Sequence, residues 1–220
     1  MQEKTAVLLI DPLNDFLHPE GKVFPALKES IDATGTVDNL QKFVKVARSK
    51  KIPIMYCQHK LYEEGNFEHW NHMSKSHYTI QASKAFEAGS FGAEIHKGLE
   101  PDKSNGDAIV SRHWNSSSFA NTDLDYHLRQ RDITHVVCAG MVANTCLEAT
   151  ARWAVEMGYH VTIISDATAG FSTQLKDAAV NIIWPTIVDE VLSLDAWSEK
   201  LNKTASKQTL NYQACSMTHE

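Results

Sequence analysis

The chain is short of cysteine. Its 220 residues contain four, Cys57, Cys138, Cys146 and Cys215, and no two of them form a C-x-x-C pair. That scarcity argues against a disulfide framework and makes free thiols in a reducing, cytoplasmic setting the expectation. A targeting segment is also missing. The opening stretch MQEKTAVLLIDPLND carries Glu3, and its apolar run is cut by Asp11 and Pro12, which reads as a poor signal peptide and a good first strand. Export by an unconventional route would leave no such trace. No apolar run approaches the ~18 residues needed to cross a bilayer, so no membrane span is expected. No lysine- or arginine-rich run stands out and the net charge is −6, so no nucleic-acid partner is expected. Phosphate cradles are absent too, since no G-x-G-x-x-G follows the first strand and no G-x-x-x-x-G-K-[ST] loop occurs, and so is the G-x-S-x-G elbow of a serine nucleophile. No cofactor is expected.

What is present is a single core's worth of apolar residue, 43% of the chain. Five short runs rich in β-formers stand out: TAVLLI (5–10), IPIMYC (52–57), AIVS (108–111), THVVCAG (134–140) and HVTIIS (160–165), with TIVDEVL (186–192) a weaker sixth. Most do not alternate polar and apolar residues, the pattern of strands buried on both faces of a parallel sheet. Helical spacing lies between them, at 36–50, 124–131, 145–158 and 172–184. The β-α alternation predicts a doubly wound α/β fold with right-handed crossovers. One domain is expected over 1–201, followed by a polar tail over 202–220. Residues 59–107 are irregular and rich in aromatics, histidine and glycine, either a functional loop or a plain surface excursion.

In such sheets, ligands bind beyond the carboxyl ends of the strands, where strand order reverses. Asp11 ends the first strand and GMVANTC follows the fourth, so the fold brings Asp11 and Cys146 together. Thr145 and Glu148 have the spacing of a capping box, which puts Cys146 at the first position of a helix. There the helix dipole and free N–H groups favour a thiolate and could hold an oxyanion. The plain alternatives are a small buried cysteine in a tight turn and a strand-end aspartate capping a turn. Arg112, His113 and Trp114 follow the third strand. A cation there would lower the thiol further, and Trp114 could wall a pocket, whereas Phe119 reads as core. His69 and His72 lie three apart without a third ligand, so no metal is expected.

Three ordered motifs carry a resemblance: D-x-x-x-D-F from Asp11, a basic residue before S-x-F-x-x-T-x-L, and G-x-x-x-N-x-C-x-x-x-T-x-R from Gly140. Together, over residues 5–192, they resemble the isochorismatase-like cysteine hydrolases, with SRHWNSSSFANTDLDYHLRQ and GMVANTCLEATARWAVEMGYHVTIISDATAGF similar to fungal and bacterial members. The resemblance implies a Rossmann-like three-layer α/β/α sandwich around a mostly parallel six-stranded sheet. It implies an Asp–Lys–Cys triad at Asp11, Arg112 and Cys146, with His113 the alternative for the lysine. It also implies a non-proline cis peptide between Met141 and Val142 and an oxyanion hole from the N–H groups of Val142 and Cys146. Phe16, His59, Trp70, His113 and Trp114 are the candidate substrate contacts. The stretch CQHK lacks the aspartate of the zinc-dependent nicotinamidase branch. Arginine cannot deliver a proton but suits an anion. Isochorismate, with its two carboxylates, is therefore the leading substrate, and a small amide cleaved by Cys146 is the alternative. A redox-sensing thiol protein and a noncatalytic binding protein on the same fold are the rivals from other classes. The family also implies a homo-oligomer.

Overall fold

The computed structural model describes residues 4–203. Its frame is a six-stranded sheet in the order β3-β2-β1-β4-β5-β6, parallel throughout. The strands are β1 (Thr5–Ile10), β2 (Ile54–Cys57), β3 (Ala108–Ile109), β4 (His135–Gly140), β5 (His160–Ile164) and β6 (Glu190–Leu192). The helices are α1 (Asn14–Leu17), α2 (Phe24–Thr34), α3 (Thr36–Ser49), α4 (Lys75–Ser83), α5 (Leu124–Arg129), α6 (Glu148–Glu156) and α7 (Thr173–Ala178). A last helix, α8, runs over 194–203. The tail expected from Asn202 lies, beyond residue 203, outside the described residues, as does Cys215.

Both faces of the sheet are covered, which is why β1 is apolar and buried at every position after Thr5. Val7 and Leu9 point into one core with Leu40 and Phe43 of α3 and with Trp197, whose ring lies 5.0 Å from that of Phe43. Ala6, Leu8 and Ile10 point into the other with Leu124 and Leu128 of α5 and Ala151 and Ala154 of α6. No helix among the described residues is long and apolar enough to cross a membrane.

Register builds the site. Ile10 pairs with Cys57 on one side and Gly140 on the other, so the chain leaves β2, β1 and β4 at one level of the sheet. Gly140 has φ +119°, and a Cβ there would stand 2.0 Å from Ile10 O. Only glycine allows the two strands to close at this point.

The region 59–107 is more ordered than its composition predicts, because it contains α4. Ser74 and His77 form a reciprocal capping box, with histidine in the place usually held by Glu or Gln. The box expected at Thr145 and Glu148 does not form. Residues Ala143–Leu147 make a π turn entered from Val142 with no side-chain cap, and Glu148 bonds Arg152 and the Trp184 indole instead. Cys146 therefore sits inside this turn rather than at the first helical position.

Candidate active site

Four strand ends supply the site. Asp11 leaves β1 with φ +48° and is fully buried. Its Oδ1 accepts the His59 backbone N–H at 2.6 Å and lies 3.2 Å from His113 Nε2. Its Oδ2 is buried without a hydrogen-bond partner. The Asp11 carboxyl also interacts with the Cys146 thiol.

His113 is 1% exposed, and its Nδ1 lies 2.5 Å from Asn115 O. Two backbone bonds lock the residue beside β2: His113 N donates to Gln58 O at 3.0 Å, and Lys60 N donates to His113 O at 2.8 Å. Its ring meets that of His59 edge-on at 5.2 Å. Arg112 is half-buried and points elsewhere: its Nη1 donates to His59 O at 2.8 Å. The basic side chain in contact with Asp11 is His113, and Arg112 acts on Asp11 only through space.

Electrostatics follow from this packing. Burial alone would raise the Asp11 carboxyl, but the charge and hydrogen bond of His113 more than offset it and hold Asp11 below the usual range. Burial would depress His113, yet Asp11 and the Asn115 carbonyl raise it above an ordinary imidazole. Burial takes His59 down to about 4, so it is neutral at physiological pH. Cys146, 8% exposed, is pushed well above the ordinary thiol by burial and then by the facing Asp11 carboxylate; the Val142 N–H is among the groups that oppose this. The expectation of a resting thiolate is corrected here: burial, joined by the Asp11 charge beside the sulfur, outweighs the turn's N–H groups. Cys57 and Cys138 are buried and raised as well, Cys138 to about 12.

A cavity of about 210 Å³ opens onto this constellation. Cys146, Thr145 and Val142 line it from the β4 side, and the Met141–Val142 peptide bond just before is cis. Phe16, Phe86 and His59 form one aromatic wall, with ring centroids 4.9 Å apart for Phe16–Phe86 and 5.2 Å for Phe86–His59. Of the expected substrate contacts, Phe16 and His59 line the cavity. Trp70 and Trp114 do not; they stack on each other at 5.2 Å, with Lys60 Nζ over the Trp114 ring. His113 lies behind Asp11. Phe86, Phe171, Ile80 and Lys75 line the cavity without having been singled out in the sequence. No local pattern marks Phe86; its place depends on Asp15, whose Oδ2 accepts the Phe86 N–H at 2.5 Å. Asp15, the second acid of D-x-x-x-D-F, was the available signal. No group of three or more His, Cys, Asp or Glu among the described residues is arranged to hold a metal ion.

Comparison with known proteins places the chain. The family model for the isochorismatase domain matches residues 5–193. The uncharacterized isochorismatase family protein YddQ of Bacillus subtilis is 30% identical over 176 residues, which is 80% of this chain and 83% of that protein. The ureidoacrylate amidohydrolase RutB of Variovorax paradoxus is 28% identical over 203 residues, 84% of this chain and 79% of its own. The crystal structure of a cysteine hydrolase from Pseudomonas syringae shares the fold with a TM-score of 0.75 at 24% identity, covering 91% of this chain and 93% of that one.

Proposed function

The chain belongs to the isochorismatase family of hydrolases, and from that premise we propose that it hydrolyses a small amide or ureide through Cys146. The observation that carries this reading is a buried Asp11 carboxylate, with one oxygen left without a hydrogen-bond partner, interacting with the Cys146 thiol at the cavity wall. A buried carboxylate oxygen left free beside a thiol is a proton acceptor in waiting.

The chemistry runs as follows. The substrate carbonyl enters between Cys146 and the Val142 backbone. The thiol proton passes to Asp11 Oδ2 as sulfur attacks the carbonyl carbon. The N–H groups of Val142 and Cys146 receive the oxyanion. Asp11 then gives the proton to the leaving nitrogen and the C–N bond breaks, leaving a thioester. Water attacks, Asp11 takes its proton, the C–S bond breaks and the thiol is restored. Because the resting sulfur is protonated, transfer to Asp11 and attack are coupled, and a neutral thiol does not react without the carboxylate.

An amide is favoured over isochorismate by the cavity itself. The anionic-substrate expectation rested on Arg112, whose guanidinium is engaged with His59 O and absent from the lining. The walls are mainly apolar and aromatic, with Lys75 the cation among them. The relative named for ureidoacrylate supports a ureide bond as the one cleaved, and the single carboxylate of such a compound would need no cation beyond Lys75.

The test is a hydrolysis assay of wild type and Cys146→Ala against ureidoacrylate, simple carbamoyl amides and isochorismate. Amide or ureide cleavage, a trapped acyl-enzyme on the Cys146 peptide, and a loss of ~10⁴-fold or more in Cys146→Ala are expected. Isochorismate cleavage that survives Cys146→Ala would overturn the thiol mechanism and restore Asp11-led chemistry.

A further inference from the structure

The imidazole behind Asp11 fixes how many protons the site holds and where they sit. A carbonyl oxygen only accepts hydrogen bonds, so the 2.5 Å contact from His113 Nδ1 to Asn115 O requires a proton on Nδ1. His113 Nε2 then faces Asp11 Oδ1 at 3.2 Å. If both were bare, two lone pairs would oppose each other, with the residues 1% and 0% exposed and the 3.2 Å gap too short to admit a water. One further proton must therefore lie between them. Asp11 Oδ1 already accepts the His59 N–H at 2.6 Å, a bond that favours the ionised carboxylate. The proton accordingly belongs to Nε2.

We propose that His113 is the positioning residue of this hydrolase: its imidazolium occupies Asp11 Oδ1, so that the proton leaving Cys146 lands on Oδ2, the oxygen left without a partner. This deepens the hydrolase reading and rests on it for its catalytic consequence, although the proton count stands on geometry alone. With Oδ1 taken by two N–H donors, Oδ2 is the oxygen left for the transferred proton. From there the proton reaches the leaving nitrogen without a turn of the carboxyl group. Were Nε2 bare, the proton taken from sulfur would settle on Oδ1 as an O–H···N bond to the ring. The leaving group would then face an oxygen with nothing to give.

The consequence separates this chain from the Asp–Lys–Cys pattern. An ammonium keeps its charge far into the alkaline range, whereas an imidazolium does not. Hydrolysis should fall on the alkaline side as His113 loses its Nε2 proton, while the sulfur becomes easier to ionise over the same range. The groups that face His113 are Asp11 from the end of β1, the neutral His59 from the end of β2, Arg112 beside it in the chain, and Cys146 across Asp11. Asp11 favours the charged ring and Arg112 opposes it.

The experiment is a pH titration of the full chain, uniformly labelled at histidine with ¹⁵N, with the His113 signals assigned by their loss in His113→Gln. In wild type, both ring nitrogens should carry protons to a pH above the ~6.5 of an ordinary imidazole. In Asp11→Asn the midpoint should drop. A His113 that is neutral below that pH, or protonated only on Nε2, would overturn the proposal in wild type alone, whatever the variants do. The catalytic arm uses the ureidoacrylate assay: the alkaline limb should coincide with the His113 midpoint, and His113→Lys should carry that limb to higher pH with activity retained. An alkaline limb unmoved in His113→Lys would also overturn it. Failure to hydrolyse any amide, with the doubly protonated ring observed, would count against the hydrolase reading and leave the proton assignment standing.

Discussion

At the scale of single residues, the site is a set of charges arranged around one hydrogen. Asp11 makes Cys146 harder to ionise at rest, although in the proposed mechanism the same carboxylate takes the thiol proton during turnover. The two effects separate in Asp11→Asn. Iodoacetamide should modify Cys146 several-fold faster at neutral pH in that variant, by about tenfold for each unit the thiol is lowered, while hydrolysis is lost. Peptide mass spectrometry reads the rate, with Cys57 and Cys138 as buried references. The pair also shapes stability. Asp11 is held low, so its contribution is present above the ~4 of an unfolded carboxyl and fades as pH falls through the folded value. His113 is raised, so its contribution is full below ~6.5 and fades as pH rises through the folded value. Urea unfolding should therefore show the wild-type advantage over His113→Gln to be largest between about pH 4 and 6.5. Asp11 and Cys146 were legible from strand ends and motif spacing. The choice between Arg112 and His113 was not, because neighbours in an extended segment point to opposite sides and the sequence does not say which side faces Asp11.

At the scale of elements, the cavity wall is held by one carboxylate. Asp15 in α1 accepts Lys22 N–H on Oδ1 at 2.8 Å and Phe86 N–H on Oδ2 at 2.5 Å. Lys22 Nζ then reaches Lys84 O and Glu87. Phe86 itself sits at φ +59°, a conformation unusual for an aromatic residue, so this strap fixes the wall against its own backbone preference. Asp15→Asn would turn an amide N–H₂ toward one of two donors. Thermal unfolding should reveal a loss of about 1–3 kcal/mol, and KM for the amide substrate should rise more than kcat falls. The helix α4 escaped the sequence reading for a related reason. Its capping box uses His77, whose ring accepts the Ser74 N–H through Nδ1 and bonds Trp114 O through Nε2, a role that no propensity assigns to histidine. By contrast, the strands announced themselves, since continuous apolar runs have few alternatives to a doubly covered sheet.

At the scale of the whole molecule, everything converges on the place where β1 and β4 run side by side. Gly140→Ala would force a methyl group against Ile10 O at a φ of +119° and should lower stability by ~3 kcal/mol or more, with hydrolysis falling alongside as Met141 and Val142 are displaced. Denaturant unfolding and the amide assay test both halves of that expectation. The position of this junction could be read from the chain because it follows from β-α alternation and handedness. The stacking of Trp70 on Trp114, away from the cavity, could not, because it depends on partners 44 positions apart. The division of labour has an evolutionary reading. Reactive groups are anchored in sheet register, whereas the wall formed by α4 and Phe86 is tethered by a few hydrogen bonds to Asp15, Trp114 and Tyr62. Lineages sharing this frame can thus inherit their bond-breaking apparatus intact while exchanging the jaw that chooses what is broken. A chimera carrying another member's segment between Lys60 and Ser111 should adopt the donor's diet and keep the recipient's chemistry.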